Sequence, residues 1–252
     1  MAREWDATTY DRLPLPHERW GRRTLARLEL TGDEVILDAG AGTGRDTVAL
    51  LEAVPDGRVI ALDASEKMLA ALLARLADRP DLRDRLTVLR ADLTVPLPLP
   101  EKVDAIFSVA AFHWIPDHDA LFANLAAVLR PGGQLAFDCG GHGNIAIVER
   151  VLADLVPGRA AGWPFATAEE TAARLAAAGF VDVVTSLDPD PTRIDDHETL
   201  CRFLETVILG VLGDDLDRLA ADERAKFVRT VAERLPEPVV DYVRLTGTAQ
   251  RG

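Results

Sequence analysis

Several short runs of Val, Ile and Leu, closed by an acidic residue or a glycine, punctuate the first half of the chain. They are Val35-Ile36-Leu37-Asp38, Val59-Ile60-Ala61-Leu62-Asp63, Leu86-Thr87-Val88-Leu89, Val103-Asp104-Ala105-Ile106-Phe107 and Gln134-Leu135-Ala136-Phe137. Apolar runs of this length predict parallel strands buried on both faces. Between them the apolar spacing becomes helical. Ser65 is placed to cap a helix carrying Met68, Leu69, Leu72, Leu73 and Leu76. Asp117 is placed to cap one carrying Leu121, Leu125, Val128 and Leu129, which a turn at Arg130-Pro131-Gly132-Gly133 should end. Strands alternating with helices predict right-handed crossovers and a doubly wound α/β sheet.

The second half changes character. Thr167-Ala168-Glu169-Glu170 has the form of a capping box, opening a helix that stops at Gly179 and leads into a strand over 181–187. Residues 195–235 read as two further helices, with Leu200, Phe203, Leu204, Val207 and Ile208 on one face. The stretch 243–249 alternates apolar with polar, as a strand at or near a sheet edge does. No repeat or low-complexity linker divides the chain. One domain over 1–252 is expected, with an N-terminal lid segment at 1–30, a ligand-binding core at 31–140 and a helical insertion at 195–235 before the last strand.

Charge narrows the partners. Lys and Arg total 28 against 41 Asp and Glu, a formal charge of −13. Such a surface repels phosphate backbones and anionic lipid, so neither nucleic acid nor membrane is the expected partner. Cys139 and Cys201 are the only cysteines, without metal-ligand spacing, and no metal is expected. The first residues lack the apolar core of a signal peptide, and no apolar run is long enough to cross a bilayer, so a cytoplasmic monomer or homodimer is expected.

The densest chemical signal is Val35-Ile36-Leu37-Asp38-Ala39-Gly40-Ala41-Gly42-Thr43-Gly44-Arg45-Asp46. Glycines between a strand and a helix let a ligand approach the main chain, beside helix-end N–H groups. Nicotinamide and flavin enzymes use such loops too, but as G-x-G-x-x-G/A. Here Arg45 occupies the place of the third small residue, and Asp38 stands two residues before Gly40. A carboxylate there repels a pyrophosphate and suits a ligand bearing an ammonium group.

These residues resemble the first motif of the class I S-adenosylmethionine-dependent methyltransferases. Asp63, closing the second strand, matches the family's ribose-binding acid, since a carboxylate accepts two hydrogen bonds. Ala91-Asp92-Leu93 matches its adenine contact. Trp5-Asp6-x-x-x-Tyr10 and Trp114-Ile115-Pro116-Asp117-His118 are similar to the trans-aconitate methyltransferase group and related small-molecule carboxyl methyltransferases. The resemblance implies a Rossmann-like, mostly parallel seven-stranded sheet that binds S-adenosylmethionine and releases S-adenosylhomocysteine. It assigns cofactor contacts to Tyr10, Asp38, Ala39, Gly40, Gly42, Gly44, Asp63, Ala64, Met68, Asp92, Leu93 and Ala110. Segment 5–10 would fold over the cofactor, with Tyr10 at its methionine end, and the insertion would roof the substrate.

After the fourth strand comes Ser108-Val109-Ala110-Ala111-Phe112-His113-Trp114. Nucleic-acid amino-methyltransferases carry Asn/Asp-Pro-Pro-aromatic here, and pyrimidine C5 enzymes a Pro-Cys nucleophile; this chain has neither. In similar carboxyl methyltransferases an aromatic at the place of Trp114 donates its indole N–H to the substrate carboxylate, and some carry a His at the place of His113. Related sequences often place Gln ahead of a Trp-Gly pair; here His17 precedes Trp20-Gly21, and a neutral imidazole can accept a proton where an amide cannot. His142 follows the fifth strand on the same rim. Trp114, His17, His142 and Trp20 are thus the substrate-binding candidates. His118 reads as exposed, and Arg19, Arg22 and Arg23 as a solvated helix face.

The first expectation is O-methylation of a small carboxylic acid by in-line displacement, needing positioning alone. A phenol, enol or carbon acceptor would need a base, with His113 the first candidate and His17 the second. O- or C-methylation of a natural-product scaffold is therefore an alternative. An NAD-dependent oxidoreductase and a non-methylating adenosylmethionine-binding protein are the others.

Overall fold

The computed structural model describes residues 6–13, 16–157, 163–212, 216 and 218–252. In chain order the strands are β1 (Val35–Ala39), β2 (Arg58–Asp63), β3 (Leu86–Arg90), β4 (Val103–Val109), β5 (Leu129–Gly140), β6 (Phe180–Pro189), β7 (Thr192–Arg193), β8 (Val239–Val240) and β9 (Val243–Arg251). Seven of them form one sheet in the order β3-β2-β1-β4-β5-β9-β6. Strands β1 to β5 pair in parallel, and β9 runs antiparallel between β5 and β6.

Helices α1 (Ala7–Arg12) and α2 (His17–Leu25) precede the sheet, and α3 (Arg45–Ala53), α4 (Glu66–Arg75), α5 (Pro80–Arg83) and α6 (His118–Val128) lie in the crossovers. Beyond β5 come α7 (Ala146–Leu155) and α8 (Ala168–Ala177). Helix α9 (His197–Phe203), prolonged by a π-type turn over Leu204–Ile208, and α10 (Ala221–Arg234) fall between β7 and β8. The caps are those the sequence offers: Ser65 accepts from Met68 N–H, Asp117 from Ala120 N–H, and Thr167 with Glu170 closes a capping box.

Alternation along each strand divides the core in two. Ile36, Ala105 and Phe107 pack on Leu50, Leu51 and Leu72 on one face, while Leu37 and Ile106 pack on Leu121, Phe122 and Leu125 on the other. Residues buried on both faces must be apolar throughout, which is why these strands read as continuous runs. One boundary differs from expectation. Arg130–Gly133 does not form a separate turn but opens β5, because Leu129 already pairs with Val103 and the register shifts before Ala105 meets Gln134.

β1 and β4 are neighbours although their connections lead to opposite halves of the sheet. Ligands in open α/β sheets bind at the carboxyl ends of strands at such a reversal.

Candidate active site

A cavity of about 940 Å³ opens at those carboxyl ends. Single small-ligand sites span roughly 300–1,000 Å³, so a nucleoside cofactor and a small acceptor fit together. Of the sequence-based cofactor candidates, Tyr10, Gly40, Gly42, Asp63, Ala64, Met68, Asp92, Leu93 and Ala110 line it. So do His17, Trp20, His113 and Trp114 from the substrate side. Trp5 lies outside the described residues.

The glycine loop is shaped by contacts and by space. Gly40 has φ 87°, and a Cβ there would meet the Ala111 Cβ at 2.3 Å, so only glycine lets β1 and β4 end side by side. Gly42 has φ 54°, and a Cβ there would meet nothing within 4 Å. Its main chain faces open space that a ligand can enter. Asp63 is held by two backbone donors, Gly42 N–H at 2.9 Å and Ser65 N–H at 2.8 Å, one on each oxygen. A carboxylate can accept two hydrogen bonds at each oxygen, the chemistry that paired ribose hydroxyls require. Asp92 takes Thr94 N–H and Oγ1 on a single oxygen, in a tight turn past β3.

Three cofactor candidates sit elsewhere. Asp38 is 2% exposed and does not line the cavity; it accepts the Thr47 hydroxyl at 2.6 Å. Strand register explains this. Asp38 pairs with Ala61, two residues short of Asp63, so its side chain falls between sheet and helix, below the rim. Burial pushes its carboxyl up to about 8, beside Thr47, Asp46 and Asp63. Burial thus disfavours its charged form. Ala39 is buried within β1, and Gly44 packs under Leu72 at the start of α3.

The turn after β4 is built with strain. Ala110 adopts φ 57°, a conformation costing a non-glycine residue roughly 1 kcal/mol. Its N–H is fixed to the Asp138 carbonyl at 2.7 Å. The chain then makes one 3₁₀ turn over Phe112–Trp114, which His118 secures through Nε2 and the Phe112 carbonyl at 3.1 Å. His118 is thus buried against Phe122, where the sequence placed it in solvent. This turn presents His113 and Trp114 to the cavity, their rings 5.0 Å apart. Trp163 donates its indole N–H to the His113 carbonyl at 2.5 Å.

Neither histidine is poised as a base. Gly140 donates its main-chain N–H to Nδ1 of His113 at 3.2 Å, so the neutral ring carries its proton on Nε2. Burial, then the nearby Arg244, holds His113 well below the ordinary histidine range. The same two causes push His17 down to about 3. A general base works best with a pKa near the working pH, and burial moves both rings away from it. His142 is exposed and outside the cavity lining, and its main-chain N–H donates to the Ala166 carbonyl at 2.9 Å. Trp20 lines the cavity with its ring only, its N–H being taken by Asp190 at 2.7 Å.

Sequence reasoning missed a buried ion pair. Arg244 of β9 donates from Nε to Asp138 of β5 at 2.7 Å, and both are about 1% exposed. The signal lay in two oppositely charged residues within apolar strands, where a charge needs a partner. Arg23 also reaches Asp138, and Arg19 and Arg23 pair with Asp190, so this face of α2 is not simply solvated.

Among the described lining residues, Arg244 is the single guanidinium. Arg45 turns instead to Asp11. A pyrophosphate would find little to neutralise it there, whereas a phosphate-free nucleoside bearing a sulfonium suits the glycine loop and the two strand-end carboxylates. The fold and the cradle together have the form of a nucleoside-binding α/β protein.

Comparison with known proteins specifies the family. A methyltransferase domain model matches residues 36–133. A malonyl-[acyl-carrier protein] O-methyltransferase of Xylella fastidiosa is 31% identical over 207 residues, covering 80% of this chain and 68% of that one. A trans-aconitate 2-methyltransferase of Variovorax paradoxus is 29% identical over 93% of this chain and 90% of its own length. For other trans-aconitate 2-methyltransferases the chain spans about half the relative's length, as in Acidovorax sp. strain JS42, 37% identical over 135 residues and 48% of that protein. Among solved structures, a Haemonchus contortus phosphoethanolamine N-methyltransferase in complex with S-adenosylhomocysteine shares the fold at TM-score 0.61 and 19% identity, covering 92% of this chain and 52% of that one. The chain belongs to the class I S-adenosylmethionine-dependent methyltransferases, in the group of the trans-aconitate and malonyl-carrier enzymes. Among the described residues no helix is long and apolar enough to cross a membrane.

Proposed function

We propose that the chain transfers a methyl group from S-adenosylmethionine to an oxygen of a small carboxylic acid. The observation that carries this is the bond from Gly140 N–H to His113 Nδ1. It turns His113 into a fixed Nε2–H donor at the cavity wall. A carboxylate is already ionised at neutral pH and needs a donor to orient it, not a base. A phenol or carbon acid would need the base that neither His113 nor His17 supplies.

S-adenosylmethionine, when bound, supplies a methyl group made electrophilic by its sulfonium. The chain's own residues hold and shield. Asp63 and Asp92 would receive the nucleoside's hydroxyl and amine donors, and Gly40 and Gly42 would leave room for it beside the main chain. His113 Nε2–H takes one oxygen of the acceptor, leaving the other free to align. Trp114, Trp163 and the π-type turn at Val207 and Ile208 give the cavity apolar walls that exclude water. Tyr10 on α1 covers the opening, and the helices between β7 and β8 roof the acceptor. The relatives named for trans-aconitate and malonyl-carrier substrates support an acid as acceptor. The formal charge of −13 supports a small molecule over a nucleic acid.

Incubation with methyl-labelled cofactor and a panel of carboxylic acids tests the reading. An ester releases its label as volatile methanol under mild alkali. Label that stays on the acceptor after alkali, or transfer only to phenols and amines, would sink it.

A further inference from the structure

Arg244, Tyr242 and His17 are among the polar side chains of the cavity that this scheme leaves unused. The Arg244 guanidinium is held on two sides. Nε donates to Asp138 Oδ1 at 2.7 Å and Nη2 to the Asp138 carbonyl at 3.3 Å, while the flat face lies 3.7 Å from the Trp20 ring centre. Nη1 keeps no hydrogen bond to the described residues. Tyr242 is 5% exposed, with its ring 5.9 Å from the guanidinium carbon and edge-on to Trp20 at 5.1 Å. Its hydroxyl is buried without a partner, and so is Nδ1 of His17, whose ring stands 4.9 Å from Trp20. Trp20 is thus the hub on which all three gather.

Buried polar atoms in folded proteins are nearly always paired, so orphans gathered on one wall mark a place that a ligand completes. Arg19, Arg23 and Arg244 share only Asp138 and Asp190 in one chain of ion pairs, three cations to two anions. A guanidinium edge, a hydroxyl and a neutral imidazole together make a receptor for an anionic oxygen group, above all a carboxylate.

We propose that Arg244, Tyr242 and His17 form an anchoring subsite for a second carboxylate of the acceptor, one that is held and not methylated. The proposal rests on the carboxyl-methylation reading. A carboxylate gripped by a guanidinium has its lone pairs engaged and is a poor nucleophile. One bound to the single donor of His113 keeps an oxygen free. The two poles therefore divide the work, with Arg244 fixing orientation and His113 presenting the reacting end. The amino-acid end of the cofactor carries the same chemistry, and the test separates the two sources.

Tyr242→Phe removes an oxygen that bonds nothing in the folded chain, so the fold survives it. Arg244→Lys keeps the charge and loses the fork. Calorimetry on wild type and both variants would measure S-adenosylhomocysteine first. The resulting complexes would then be titrated with straight-chain dicarboxylates from malonate to adipate and with their monoamides. At least one diacid should bind the wild-type complex, and its affinity should fall about tenfold or more in each variant. The monoamide should lose a comparable factor, and S-adenosylhomocysteine affinity should not change. Loss of S-adenosylhomocysteine binding in Tyr242→Phe would assign the subsite to the cofactor and overturn the proposal. Equal diacid binding by wild type and Tyr242→Phe, or none by the wild-type complex, would overturn it as well. Diacid binding without any methyl transfer would instead keep the subsite and remove the carboxyl-methylation reading.

Discussion

Arg45 and Asp11, 34 residues apart, are tied twice: Nε to the Asp11 carboxylate at 3.2 Å and Nη2 to the Asp11 carbonyl at 2.6 Å. The same carboxylate takes the Thr43 hydroxyl and Arg75 Nη2, each at 2.6 Å, and Arg75 also holds the Thr43 carbonyl at 2.8 Å. Asp11 therefore fastens α1, whose Tyr10 lines the cavity, onto the glycine loop. Hydrogen bonds to charged groups are worth about 1.5–3 kcal/mol each at most. Asp11→Ala is expected to weaken S-adenosylhomocysteine binding about tenfold while the global melting temperature barely moves. Amide exchange in α1 should quicken by a similar factor, and unchanged exchange there would remove the latch.

The glycine loop offers a paired test. In Gly42→Ala the new methyl meets no protein atom, so the fold should lose only about 1 kcal/mol for the positive φ, while cofactor affinity collapses. In Gly44→Ala the methyl would sit 2.5 Å from the Leu72 Cγ, so melting temperature should fall first. Denaturation and cofactor titration of both variants check this; similar losses in both quantities for both variants would contradict it.

His113 as a fixed donor predicts a particular pH profile. With no base to deprotonate, kcat for a carboxylic acid should be level from about pH 6 to 9, above the pKa of a free carboxylic acid. His113→Gln, which keeps an N–H donor, should retain more activity than His113→Ala, which should lose about tenfold to a hundredfold in kcat/KM. A rise of one log unit per pH unit would instead identify a titrating base.

Asp38 gives the stability a sign. Burial raises its carboxyl to about 8, and burial raises Asp46 to about 7. Between the unfolded carboxylate value near 4 and these values, the folded state binds more protons than the unfolded state. Stability must then fall as pH rises through that window, by at most about 1.4 kcal/mol per pH unit per group. Asp38→Asn should flatten part of this slope, so that the variant gains on wild type between pH 5 and pH 8 in urea denaturation. Parallel curves for the two proteins would show that Asp38 does not titrate there.

Much of the cavity lining was legible because it is made of main-chain turns. Gly40, Gly42, Asp63 and Asp92 sit where strands end, and strand ends show in the apolar pattern. Asp38 looked equivalent to Asp63, yet register sets it two residues deeper, and register depends on the neighbouring strand. His118 looked exposed at a helix start, but the 3₁₀ turn folds back over it. Arg45 could be read only as a residue that breaks a dinucleotide pattern, since its partner on α1 is not a sequence neighbour.

Local chemistry, by itself, settled the alternation of strand and helix, the helix caps, the glycine loop and the kinship with the methyltransferases. These depend on backbone geometry and on periodicities that span a few residues. Tertiary structure decided which charged groups face the cavity. Arg244 meets Asp138 across 106 positions of chain because β9 folds back antiparallel beside β5. The ring of His113 is oriented by a main-chain donor 27 positions away. A side chain's protonation and direction follow from what surrounds it in space, and one-dimensional spacing carries no record of that.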